Sequence, residues 1–394
     1  MLNVFFLGLI SFFTDLSTEM VYPLIPLYLV GTFGASHVLV GIIEGISESL
    51  ASLLKVYSGY LTDKFQKKKL LAFSGYAAGL VYKAALIFAS SWLGILGARV
   101  IDRFGKGIRT APRDVLVSES ADKQNMGKAF GVHKALDMFG AAFGILVIYL
   151  IMRNSSGNYD YKNLFALSMI PAVLGLIMFI FIKEQKNKTA VKTSALPFWK
   201  NLNKIDGQLK LYLLVVFIFT LGNSSKAFMI LKACDIGFDD LNAILLFVIY
   251  HITAALLSIP LGKLSDKFGR KHLLVPGYIC FALCYFGFAF TNTKPVMIAV
   301  FALYGVYTAM ITGVERAFVA EIAPGEIKGT MLGLHSTIAG IALLPASVIA
   351  GILWTSFGAA VPFIFGAGMS LIAAVLLIFF MKGKKENIEH TNMR

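Results

Sequence analysis

Charge is what this sequence has little of. Asp, Glu, Lys and Arg make up 15% of its 394 residues, against about 25% in an ordinary soluble domain. That shortage excludes a soluble globular protein, which could not hide the accompanying apolar surface, and a disordered chain, which would not carry it. Cysteine is scarce too. Cys234, Cys280 and Cys284 lie in apolar segments without metal-ligand spacing, so they read as buried thiols and no metal site is expected. No G-x-x-x-x-G-K-[ST] loop occurs, which argues against ATP as the direct drive. No H-E-x-x-H or other hydrolytic constellation occurs, which argues against an enzyme, and no cofactor is expected. No cleavable signal peptide is expected either, because the apolar stretch opening at Met1 to Phe6 is too long for one.

What is present is hydrophobic: 57% of the residues, before 36 glycines are counted, with a mean hydropathy of +0.74. A span needs about 20 apolar residues. Twelve such runs are expected, near 4–30, 38–62, 70–90, 92–118, 127–152, 163–183, 209–233, 241–263, 273–291, 295–320, 329–354 and 359–381. Pro23, Pro26 and Pro112 are the expected bends. The fold class is therefore an all-α membrane protein of twelve transmembrane helices.

The net charge of +14 follows the membrane rather than a nucleic acid, because Lys and Arg collect in alternate loops. Lys64, Lys67, Lys68 and Lys69 follow span 2, Lys267, Arg270 and Lys271 follow span 8, and Lys382, Lys384, Lys385 and Arg394 lie in the tail. The outer loops are nearly free of positive charge, apart from Arg153, Lys162 and Lys294. Both termini are thus expected in the cytoplasm. The expected organisation is a six-helix bundle over 1–183, a cytoplasmic linker over 184–208, a second bundle over 209–382 and a tail over 383–394.

The halves repeat. Gly59-Tyr-Leu-Thr-Asp63 and Gly262-Lys-Leu-Ser-Asp266 lie 203 residues apart. Glu119, Gly127, Gly131 and His133 lie 202 residues before Glu321, Gly329, Gly333 and His335. Two unrelated segments at offsets one residue apart indicate a duplicated six-span unit, a recurring transporter plan.

The G-x-L-x-D-x-x-G-R-[KR] loop between spans 2 and 3, repeated between spans 8 and 9, resembles the signature of the major facilitator superfamily. The second copy fits closely; the first has Gln66 where the family usually has Gly. The resemblance implies two pseudo-symmetric six-helix bundles and alternating access. It implies that the loops around Gly59, Asp63, Lys64, Gly262, Asp266, Arg270 and Lys271 act as a gate. It implies that spans 1, 4, 7 and 10 line a central cavity holding Asp15, Glu19, Arg103, Lys106, Lys226 and Glu315. The family also has an Arg in span 4 linked to proton coupling, a role for which Arg99 and Arg103 compete.

An ionisable group at the bilayer centre costs about 2.5–3.5 kcal/mol on insertion scales, so such groups mark function or pairing. Asp15 and Glu19 share a face of span 1, as Glu44 and Glu48 do of span 2. Asp102, Lys106, Arg109 and Arg113 draw one stripe down span 4, and span 10 carries Glu315 and Arg316. At 1.5 Å per residue, Asp15 and Glu19 lie about 16–22 Å into span 1 and Arg103 about 17 Å into span 4, near mid-membrane. Glu19 and Lys226 are expected either to pair across the halves or to pair each within its own.

The function expected is secondary transport of a small organic solute, coupled to protons carried by Asp15, Glu19, Glu44 or Glu48. The excess of intramembrane cations favours an anionic or zwitterionic substrate or a metal chelate. A polyspecific drug exporter and a non-transporting receptor or scaffold are the alternatives. The expected partners are the substrate, protons and the bilayer, in a bacterial-type inner membrane, with the chain a monomer and no nucleic acid bound.

Overall fold

A computed structural model describes residues 1–22, 24–34, 51, 54–154, 160–184, 207–223 and 226–380. Glu44 and Glu48, nearly all of the linker and the tail lie outside the described residues. Among those described there is no strand. Nine helices are long and apolar enough to cross a membrane. Three of the expected spans fall outside that number. Span 2 is described only from residue 54, apart from residue 51. Span 4 is one 28-residue helix, Trp92–Glu119, and carries more charge than a lipid-facing span. Span 7 is split into Gly207–Gly222 and Ala227–Asp235. Span 1 is split at the corresponding place, into Leu2–Val21 and Leu24–Phe33.

The helices begin and stay helical for local reasons. Ser91, Asp160 and Asp239 each accept a hydrogen bond from the backbone N–H three residues on, capping spans 4, 6 and 8. Inside the spans, hydroxyls donate back to carbonyls one turn earlier, as in Thr14 to Ile10 at 2.7 Å and Thr308 to Tyr304 at 2.8 Å. No water in the bilayer core could satisfy them otherwise. Phe88, Ile180 and Phe379 stand on the outside of the bundle, where lipid covers them.

Packing repeats with the sequence. Span 1 packs on spans 5 and 6 as span 7 packs on 11 and 12. Span 3 packs on spans 4 and 6 as span 9 packs on 10 and 12. The halves meet along spans 5 and 8, with spans 4 and 5 also touching 11 and 10 respectively. The result is twelve helices in two pseudo-symmetric six-helix bundles. The stripe of span 4 turns inward: Arg99, Asp102, Arg103, Arg109, Arg113 and Asp114 are all buried, which removes the cost of facing lipid.

Candidate functional site

The two signature loops make the same contact across the halves. Asp63 accepts from the backbone N–H of Gly329 at 2.9 Å and of Thr330 at 2.7 Å, and from the Thr330 hydroxyl at 2.6 Å. Asp266 accepts from the N–H groups of Gly127 and Lys128, both at 2.7 Å. Each carboxylate thus caps the first turn of a helix in the opposite half, where unpaired N–H groups favour an anion. Glycine makes the approach possible. A Cβ on Gly59 would strike the Gly329 carbonyl, and one on Gly262 would strike that of Gly127. Behind the loops, Lys68 pairs with Glu119 at 2.7 Å, and Arg270 pairs with Glu321 and, at 3.0 Å, with Asp266. Lys68 therefore holds in the first loop the place that Arg270 holds in the second. Lys64 is exposed beside the Tyr60 and Phe65 rings, and Lys271 donates to the Ile378 carbonyl. Burial pushes the Asp63 carboxyl up to about 6, against the opposing pull of its hydrogen bonds from Thr330 and Gly329.

Deeper in, equivalent positions carry swapped charges. Arg113 and Asp114 of span 4 match Glu315 and Arg316 of span 10 at the 202-residue offset. Asp114 pairs with Arg113 at 2.8 Å and, across the halves, with Arg316 at 3.5 Å. Glu315 accepts from the Tyr278 hydroxyl at 3.1 Å and lies 3.7 Å from His335 Nε2. The equivalent His133 is buried within electrostatic reach of Asp114 and Asp137.

Further along the same axis, Glu19 sits among cations from both halves. Its charge partners are Lys226 first, then Lys106 and Arg103. Lys226 follows the break in span 7, is exposed, and donates to the Tyr250 hydroxyl at 2.8 Å with that ring 4.8 Å away. Glu19 is thus within electrostatic reach of Lys226 across the axis and of Lys106 and Arg103 inside its own half, the two arrangements expected for it.

Other stripe residues are occupied structurally. Asp102 lies between Arg99 at 3.9 Å and Arg103 at 3.6 Å. Arg99 covers the Tyr22 ring at 5.5 Å, and Arg109 covers Tyr76 at 4.4 Å. Asp15 is within electrostatic reach of Asp137 of span 5, whose carboxylate accepts from Ser11 at 2.7 Å and Lys134 at 2.6 Å. Asp137, Lys134, Tyr250 and Lys68 were not among the expected site residues. Lys134 and Asp137 had a sequence signal, as charges inside span 5, and Lys68 had one as a residue aligned near Arg270; Tyr250 had none. Among the described residues no group of three or more His, Cys, Asp or Glu side chains is placed to hold a metal ion.

The profile of the Major Facilitator Superfamily matches residues 7–233 and 211–393. An uncharacterized MFS-type transporter of Methanocaldococcus jannaschii is 37% identical over 388 residues, covering 96% of this chain and 94% of that one. A multi-drug resistance efflux pump homolog of Lactococcus lactis is 23% identical over 393 residues, covering 96% and 93%. The solved structure of the proton:xylose symporter XylE superposes with a TM-score of 0.76 at 18% identity, covering 97% of this chain and 95% of that one. The profile match over both halves and the archaeal relative place this chain in the Major Facilitator Superfamily of membrane transporters.

Proposed function

We propose that the protein is a proton-coupled secondary transporter for a small organic anion, zwitterion or anionic chelate, working by alternating access with both termini in the cytoplasm. The observation that carries this reading is the cluster around Glu19, where one carboxylate faces Lys226, Lys106 and Arg103. Lys226 stands exposed within electrostatic reach of that carboxylate and is the cation placed to meet an anionic ligand. The cluster draws on both halves, so a ligand there is gripped by each and released as they part. Lys226 is exposed and needs no strong rearrangement to reach a solute.

The capped, glycine-packed contacts of Asp63 and Asp266 close one end of the bundle. Since the basic loops lie there, that end is the cytoplasmic one, and this is the outward-facing member of the transport cycle. The bundles are 1–183 and 209–382, the unit is a monomer and the membrane is an inner membrane of the bacterial type. The test is an uptake screen of organic anions, zwitterions and chelates in proteoliposomes, with and without an imposed proton gradient.

A second reading, export of varied apolar drugs, is favoured by the wall behind Lys226. Tyr250, Phe281, Tyr285, Tyr304 and Tyr307 form a continuous aromatic cluster in the second half, and a relative is named an efflux pump. Lipophilic cations in the same screen separate the two readings.

A further inference from the structure

Glycine presses spans 3 and 4 together at one level, and the two helices part at the next. A Cβ on Gly75 would strike the Gly105 carbonyl and the Arg109 Cβ, both at 2.6 Å. One turn further on, a Cβ on the buried Gly79 would meet a single atom within 4 Å, Nη1 of Arg109 at 3.7 Å. That is ordinary contact distance. Gly79 therefore floors a gap that a methyl group could enter, and the Arg109 guanidinium borders it.

Two cations stand at this gap. Arg109 is 8% exposed and lays its face on the Tyr76 ring at 4.4 Å. Stacking takes only the face of a guanidinium, and its N–H donors leave from the edge. Among the described residues no acceptor meets that edge. Lys83 is 1% exposed, and of its three donors one goes to the Gly79 carbonyl at 3.2 Å, a turn back on its own helix. Among the described residues neither cation is in an ion pair. Asp15 of span 1 and Asp102 of span 4 face them within electrostatic reach. Asp102, however, is already shared by Arg99 at 3.9 Å and Arg103 at 3.6 Å. A buried cation without a paired anion is costly, and here two share one gap.

We propose that Arg109 and Lys83, over Gly79, form a second anion site inside the first half, and that it takes an acid group with two or more oxygens. The free edge of the guanidinium is a fork that matches two oxygens of one acid group, and the ammonium adds a further donor. A halide, a single atom, leaves that fork half used. Two positive charges repel a metal cation. A free inorganic oxyanion and the carboxylate of a solute share the required chemistry. The site lies between spans 3 and 4 and makes no use of Lys226, so it goes beyond the anion reading above and stands or falls separately from it.

The test is thermal melting of the purified full chain in detergent, titrated with sulfate, inorganic phosphate or acetate at an ionic strength held constant with choline chloride. The expected result is a saturable rise in melting temperature with at least one of them. A response to sulfate or phosphate assigns a free inorganic oxyanion, and one to acetate alone assigns the carboxylate of a solute. Gly79→Ala fills the gap without a clash, and alanine favours a helix. The anion-free variant should therefore melt no lower than the parent, while anion affinity falls about tenfold or more. Lys83→Met removes a buried unpaired charge and keeps the length of the side chain. Its anion-free melting temperature should hold or rise, and its response to the anion should vanish. Lys226→Ala should keep the full response. No stabilisation of the parent by any of the three anions would overturn the proposal. So would a response that survives Gly79→Ala and Lys83→Met, or one lost in Lys226→Ala, which belongs to the Glu19 cluster. A lower anion-free melting temperature in Lys83→Met would also overturn it, because the ammonium would then be paired within the protein.

Discussion

Gln66 has a φ of 53°, and the equivalent Gly269 has a φ of 89°. Both sit in the left-handed region that the signature's glycine normally fills at no steric cost. Gln66 is held there partly by its side chain, which donates to the Asp63 carbonyl at 2.8 Å. A β-branched residue tolerates that conformation worst. Gln66→Val is expected to lower stability by about 1–2 kcal/mol, whereas Gln66→Gly stays within about 0.5 kcal/mol of the parent. Thermal melting of the purified protein in detergent checks both. The two basic residues beside Glu19 separate in the same way. Lys226 is exposed, so Lys226→Ala is expected to leave the melting temperature nearly unchanged. It should weaken anion binding by about 1.5–3 kcal/mol, a tenfold to hundredfold loss. Arg103 is buried against Asp102, so Arg103→Ala leaves that buried carboxylate with the longer contact to Arg99 alone and lowers the melting temperature whether or not ligand is present. Titration and melting on each variant distinguish them. Equal effects of both substitutions on melting would contradict these placements.

Helices show best which parts of this molecule were legible in advance. The repeat foretold that Asp63 and Asp266 would do the same job, because a short motif carries its own turn and cap chemistry. The equivalence of Arg113–Asp114 with Glu315–Arg316 lies at the same 202-residue offset but was not read from the sequence. That Asp15 and Asp137 come within electrostatic reach of each other was not legible. These residues lie on spans 1 and 5, and helical periodicity fixes which face a residue takes, not which helix that face meets. The charged stripe of span 4 was legible as inward-facing, but its division into Asp102 with Arg99 and Arg103, Arg109 on Tyr76, and Arg113 with Asp114 needed the packing. At this scale the contact between spans 4 and 10 is open to a charge-reversal test. Asp114→Ala leaves Arg113 and Arg316 without their carboxylate and is expected to cost about 3–5 kcal/mol of the closed arrangement. Arg316→Ala costs about 1–3 kcal/mol, because Asp114 keeps Arg113. The double exchange Asp114→Arg with Arg316→Asp is expected to recover part of the loss. Spin labels on the exposed Lys64 and Lys267, one on each signature loop, report closure through their separation. A double exchange no better than the single changes would show that the pair does not hold the halves.

For the whole molecule, closure at the basic-loop end is linked to protons through Asp63. Its carboxyl is raised to about 6 when buried against span 11, and it returns toward the ordinary range when the loop opens to water. The closed form therefore binds the proton more tightly. Its advantage is complete below about pH 4 and is lost as pH rises through about 6. The short separation between labels on Lys64 and Lys267 is expected to gain population as pH falls from about 7 to about 4.5, and Asp63→Asn is expected to flatten that dependence. The same two-halved design predicts sidedness. A reporter inserted near residue 192 or fused after Arg394 should lie in the cytoplasm, and one near Asn158 outside. Both follow from the central claim that two six-helix bundles, closed at the cytoplasmic end by Asp63 and Asp266, carry an anion on a cluster shared between them. The measurement that tests it most directly is uptake of organic anions into proteoliposomes under an inward proton gradient. The account predicts accumulation above equilibrium for at least one anion, abolished by a protonophore and by Lys226→Ala in the same preparation. Accumulation that survives both treatments, or that is confined to lipophilic cations, would contradict it.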